Sequence, residues 1–154
     1  MCGMGSRALV QIFDGPGRDL RQAMHPIPSS LANGEILVEI KLATICGSDL
    51  HTMDGHRSEP VPSILGHEAI GVITELGPQP QDRAQLTRGD RITWSIANSC
   101  GHCAYCTEFR LPEKCSSLFK YGHASLDDGS GLNGTYASHI VLRPGTHVVP
   151  LPDT

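Results

Sequence analysis

The sequence predicts a mainly β domain of many short strands, barrel-like or sandwich-like in architecture. Three observations carry this. Glycine (17 residues) and proline (11) are plentiful while aromatics make up only 5% of the chain, a balance suited to strands and turns rather than a helical bundle. Short apolar runs, several of them alternating with period two, recur between turn signals. No long segment holds the 3.6-residue period of a helix, and no internal repeat is present. At 154 residues, 39% hydrophobic and 18% charged, the chain has the length and composition of one soluble domain with its own core.

Taken in order, Arg7 to Phe13 (RALVQIF) is a first strand, closed by the turn signal Asp14-Gly15-Pro16-Gly17. Glu35 to Thr44 (EILVEIKLAT) alternates, with Ile36, Val38, Ile40 and Leu42 on one face and Glu39 and Lys41 on a wet one. Ala69 to Leu76 and Asp90 to Ile96 read as further strands, separated by a polar, proline-containing segment from Gly77 to Gly89. Gly122 to Gly134 reads as a surface loop, and Tyr136 to Leu142 and His147 to Leu151 as closing strands. Trp94 is expected in the core. The glycines of Gly3-Met4-Gly5-Ser6-Arg7-Ala8 imitate a dinucleotide-binding fingerprint but lack a preceding strand and a following helix, so they read as a flexible start, with Cys2 a free thiol.

The net charge of −4, with no basic run, argues against nucleic acid or an anionic membrane as partner. No apolar run nears the roughly 20 residues of a membrane span. The N-terminus lacks a signal-peptide core, which points to the cytoplasm.

The chemistry concentrates between Ile45 and Glu68. Cys46 opens this stretch, His67 and Glu68 close it, and Ser48, Asp49 and His51 lie between. Thiolate, imidazole and carboxylate are zinc ligand types, and a catalytic zinc keeps three protein ligands and one open position. Ser48 and His51 are placed to pass a proton between a substrate oxygen and water. A second cluster follows, Cys100-x2-Cys103-x2-Cys106-x8-Cys115. Four thiolates close a tetrahedral site, so this one reads as structural zinc. An iron–sulfur cluster and a disulfide-paired loop are the alternatives. His25, His56, His102, His123, His139 and His147 have no partner at ligand spacing and read as surface or core histidines, His56 being the nearest to the site loop.

Gly66-His67-Glu68-x-x-Gly71-x5-Gly77 resembles the zinc signature of the medium-chain alcohol dehydrogenase family. Cys46-Gly47-Ser48-Asp49-x-His51, Gly89-Asp90-Arg91 and the four-cysteine lobe match the same family in the same order, so the resemblance spans essentially the whole chain. Two departures are Pro80, where the signature usually has a small or aliphatic residue, and a last cysteine gap one residue longer than usual. The resemblance implies a GroES-like catalytic domain over residues 1–154, an irregular β-barrel with a zinc lobe at about 98–118. It implies Cys46 and His67 as zinc ligands, with Glu68 as the third or next to it, the alternative being a cysteine lying beyond residue 154.

By the same resemblance Asp49 accepts the second imidazole N–H of His67, Ser48 bonds the reacting oxygen, and His51 passes the proton to solvent. The substrate is a small alcohol or carbonyl compound, and hydride passes to NAD or NADP. Family members bind that cofactor in a Rossmann domain; no strand–GxGxxG–helix unit follows the site here, so the chain resembles the catalytic half of a dehydrogenase. Leu118-Phe119-Lys120-Tyr121-Gly122-His123 is similar to members associated with phosphonate catabolism, too slight a match to set a substrate. Family interfaces leave a homo-oligomer open. The competing function is a non-catalytic zinc module of the same ancestry. The co-chaperonin GroES needs neither metal site, and zinc-free quinone reductases lack the cysteine lobe.

Overall fold

Alternation of buried and exposed residues builds the first ladder. The computed structural model describes residues 6–78 and 86–152; Cys2, the glycine-rich start up to Gly5, and Pro80 lie outside them. Strand β1 (Arg7–Phe13) buries Ala8, Val10, Ile12 and Phe13. It pairs antiparallel with β2 (Arg21–Pro26) over six residue pairs and with the short β4 (Ser63–Ile64) on its other side. Strand β3 (Ile36–Ala43) lies inside a five-stranded sheet. There it is flanked by β5 (Ala69–Leu76) and β9 (His139–Leu142), with β6 (Arg91–Trp94) and β10 (Val148–Pro150) continuing beyond β5. A two-stranded ladder of β7 (Ala97–Asn98) and β8 (Phe119–Lys120) completes the described strands, and every pairing is antiparallel. Among the described residues helix is confined to α1 (Gly47–Met53), α2 (Ala104–Thr107) and a 3-10 turn at Pro112–Lys114. Among the described residues no helix is long and apolar enough to cross a membrane.

The core forms on both sides of β3. Ile36 and Val38 pack with Ile73, Ile92, Trp94, Tyr121 and Ile140, while Leu37 joins Val10, Ile12, Ile64, Leu132 and Val141. Trp94 is buried, as the sequence indicates. The alternation expected for β3 holds only in part. Leu37, on the same face as Glu39, is buried because it packs into the second cluster, and Leu42 is exposed beyond a register shift of the ladder with β5 between Ile40 and Leu42. An irregularity of this kind turns the side chains beyond it to new directions.

The segment from Gly122 to Gly134, expected at the surface, is largely inside. Gly122, Gly131, Leu132, Asn133 and Gly134 are buried, and only residues 127–129 are exposed. Its glycines mark close backbone approach: at Gly122 a Cβ would meet the carbonyl oxygen of Gly66. Asn133 holds the loop from within, its amide donating to the carbonyls of Ser125 at 3.3 Å and Asp128 at 2.7 Å.

Candidate metal centres

The register of β3 and β5 builds the first centre. Ala43 opposes Ala69, and the Thr44 N–H donates to the Glu68 carbonyl at 3.1 Å. The chain leaving β3 thus runs beside the chain entering β5. Cys46 lies just past one strand end, and His67 and Glu68 just before the other. The Cys46 sulfur, a His67 ring nitrogen and a Glu68 carboxylate oxygen all lie within 4.8 Å of one another. His67 is buried, Cys46 half-buried and Glu68 exposed, with Glu68 Oε2 accepting from Thr44 Oγ1 at 2.7 Å.

Asp49 ties the two halves together. It is 2% exposed. Its Oδ2 accepts from the Cys46 N–H at 2.9 Å, the carboxylate half of a capping box at the start of α1. Oδ1 accepts from the Gly66 N–H at 3.2 Å. Tyr136 donates its hydroxyl to Oδ2 at 2.9 Å, and burial together with the Asp49 charge raises the phenol's pKa well above its ordinary value. These three donors occupy the carboxylate. His67 Nδ1 stands 3.7 Å from Asp49 Oδ1 and has no hydrogen-bond partner, so the expected Asp49–His67 hydrogen bond is replaced by a facing, longer approach. Sequence reading missed Tyr136, which is remote along the chain and carries no motif.

Gly66 needs its own identity. Its φ is +86°, and a Cβ there would meet Thr135 Oγ1 and the Tyr136 ring. Ser48 and His51 sit on α1. Ser48 is half-buried and its carbonyl accepts from Thr52 Oγ1 at 3.0 Å, while His51 is exposed with its ring 5.8 Å from that of His56. Neither side chain is hydrogen-bonded to Cys46, His67 or Glu68. His123, read from the sequence as a histidine without a site partner, stacks on His67 with ring centroids 5.3 Å apart and planes 25° apart.

The second centre is pinched off by the β7–β8 ladder, which pairs Asn98 with Phe119 and so brackets residues 99–118. Within it, sulfur–sulfur distances are 3.5 Å for Cys103–Cys106, 3.9 Å for Cys103–Cys115 and 4.0 Å for Cys100–Cys106. Disulfides, with sulfurs about 2 Å apart, are excluded by this spacing, and all four cysteines are free. One tetrahedral ion with ligand bonds of about 2.3 Å sets its sulfurs about 3.8 Å apart, which these distances fit. Cys115 accepts from the Cys100 and Ser117 N–H groups at 3.3 and 3.4 Å. The Cys100 amide above all lowers the Cys115 thiol pKa, and the Ser116 and Cys106 amides lower that of Cys103 to about 5. Burial pushes the Cys106 thiol up to about 11. Backbone donors thus favour anionic sulfur at two of the four positions.

The profile of the alcohol dehydrogenase GroES-like domain matches residues 32–153. The chain belongs to this family. It is 33% identical over 141 residues to the sorbitol dehydrogenase of Halalkalibacterium halodurans, an alignment covering 89% of this chain and 36% of that protein. Among solved structures, the alcohol dehydrogenase of Thermotoga maritima superimposes with a TM-score of 0.88 at 34% identity, covering 97% of this chain and 42% of that one. An Escherichia coli alcohol dehydrogenase complexed with NADH gives a TM-score of 0.76 at 31% identity, with coverages of 97% and 40%. The GroES-like domain of medium-chain dehydrogenases therefore accounts for this mainly β fold. The chain spans about two fifths of the length of these relatives.

Proposed function

We propose that this domain supplies the metal-binding, substrate-activating half of an NAD- or NADP-dependent alcohol or polyol dehydrogenase. The observation that carries the reading is the convergence of a thiolate, an imidazole and a carboxylate within 4.8 Å of one another. That donor set fits zinc with one position left for substrate. Cys46, His67 and Glu68 would hold the ion, Glu68 being the third protein ligand. Zinc held there would act as a Lewis acid toward an alcohol or carbonyl oxygen.

The remaining roles belong to the chain's own side chains. Asp49 fixes the backbone amides of Cys46 and Gly66, the residues at and beside two ligands, so its charge sets the geometry of the pair. Ser48 and His51, on the helix that begins at Cys46, would pass the substrate proton to water. The four cysteines of the lobe would hold a second, structural zinc. The nicotinamide cofactor would be bound by residues other than these 154, and the substrate would be a small alcohol or carbonyl compound.

Metal content tests this directly. The chain purified without added zinc is expected to carry two zinc ions, and Cys46→Ser to carry one. One ion in both proteins would overturn the assignment of Cys46, leaving a structural zinc module. No ion in either would overturn both centres.

A further inference from the structure

His67 is buried at 5% exposure, yet its Nδ1 makes no hydrogen bond and Asp49 stands too far away to give one. A ligand imidazole ordinarily has its plane fixed by a hydrogen bond at the other ring nitrogen. Here the flat surface against it is the ring of His123, at 5.3 Å and 25°. Offset stacking at that separation is a favourable aromatic arrangement.

His123 is itself held. Its Nδ1 is 2.7 Å from Glu59 Oε1, and the same oxygen is 3.2 Å from Arg57 Nε. The His123 and Glu59 side chains are only 9% and 10% exposed. The backbone presses the two rings together as well: Gly122 lies against the Gly66 backbone with no room for a Cβ, and its N–H donates to the Asn133 carbonyl at 2.7 Å. Arg57 and Glu59, from the chain following α1, thus brace a ring from the Gly122–Gly134 loop, and that ring braces His67.

We propose that His123 is a positioning residue for the first metal centre, setting the plane of the His67 imidazole by stacking while Glu59 and Arg57 lock His123 in place. The inference rests on the reading that Cys46, His67 and Glu68 hold a metal.

The test loads the 154-residue chain with cobalt(II), whose visible absorption reports each site's ligand geometry, and measures affinity by chelator competition. The four-cysteine lobe is an internal control for folding. His123→Ala is expected to weaken the Cys46-dependent site about tenfold, the lower range for partners that orient a ligand, and to change that site's absorption while the lobe's bands persist. His123→Phe, which keeps a stacking ring, is expected to restore most of the affinity. Wild-type affinity in His123→Ala overturns the proposal, as does His123→Phe behaving like His123→Ala. Should His123→Ala lose the lobe's bands through misfolding, Glu59→Ala decides: weaker binding at the first site supports the brace, and unchanged binding overturns it. Cys46→Ser separates the two readings. If it loses no cobalt, the metal assignment fails and the inference with it; if it loses one ion, the His123 variants judge the inference alone.

Discussion

Asp49 binds the backbone on both sides of the first centre, and a buried carboxylate is tolerated only when its oxygens are satisfied. Two of its donors are backbone amides, which only a proline would remove, but the third is the Tyr136 hydroxyl. Tyr136→Phe deletes that donor and leaves the charge in place. A hydrogen bond to a charged group contributes about 1.5 kcal/mol or more, so the variant is expected to lose about that much stability in urea unfolding at neutral pH. The phenol's raised pKa adds a sign: stability arising from the protonated tyrosine is fully present below the ordinary tyrosine pKa and is lost only as pH rises through the higher folded value. The stability difference between wild type and Tyr136→Phe should therefore be flat from neutral pH to mild alkali. Gly66→Ala is the harsher change. It combines a left-handed backbone with a Cβ driven into Thr135 and Tyr136, and a cost of about 2 kcal/mol or more is expected. Since Gly66 adjoins His67, metal at the first centre should fall in the same variant, which metal analysis of the refolded protein would check.

At the scale of elements, the proposed structural zinc makes the cysteine lobe's order a matter of metal binding more than of packing. Between β7 and β8 it holds a four-residue helix without a buried residue and one 3-10 turn; Cys115 is the one buried hydrophobic position within that segment. Such a segment has little apolar burial to offset its ordering entropy, and on the proposed reading metal binding would supply the difference. Arg110 and Lys114 are exposed within it. Removal of metal by a strong chelator is expected to open trypsin cleavage after these two residues while the five-stranded sheet stays intact, and mass spectrometry of the fragments would show it. Resistance of the metal-free chain at both positions would mean that the lobe folds without an ion.

Elements also differed in how plainly the sequence showed them. Strands β3 and β5 lie in long apolar or alternating runs, and β5 falls on the residues its pattern indicates. Strand β2 (RQAMHP) has no such pattern, because it gains its order from pairing along β1 rather than from a buried face of its own. The ligand candidates were legible because turns and strand ends bring them together within two short motifs. His123 and Tyr136 were not, since stacking and a hydrogen bond across 87 positions of chain leave no local trace.

For the whole molecule, β3 is the axis: its successive residues Ile36, Leu37 and Val38 feed two hydrophobic clusters, and its far end delivers the chain to Cys46. One strand therefore links the integrity of the core to the placement of the candidate metal ligands. Among the described residues no group can accept a hydride. In the proposed reading the first centre would provide side chains for a metal and for proton movement, whereas oxidation of an alcohol also needs an acceptor placed against the reacting carbon, and the chain covers about two fifths of relatives such as the NADH-complexed dehydrogenase. With two metal ions bound, the 154-residue chain mixed with NAD or NADP and a panel of primary, secondary and polyol substrates should give no reduced nicotinamide absorbance above the protein-free rate. The same residues joined to a nicotinamide-binding partner domain should give turnover that Cys46→Ser abolishes. Turnover by the chain alone would show that these residues hold the cofactor themselves. Failure of the joined protein, with both metals present, would favour the reading of the domain as a zinc module without catalysis.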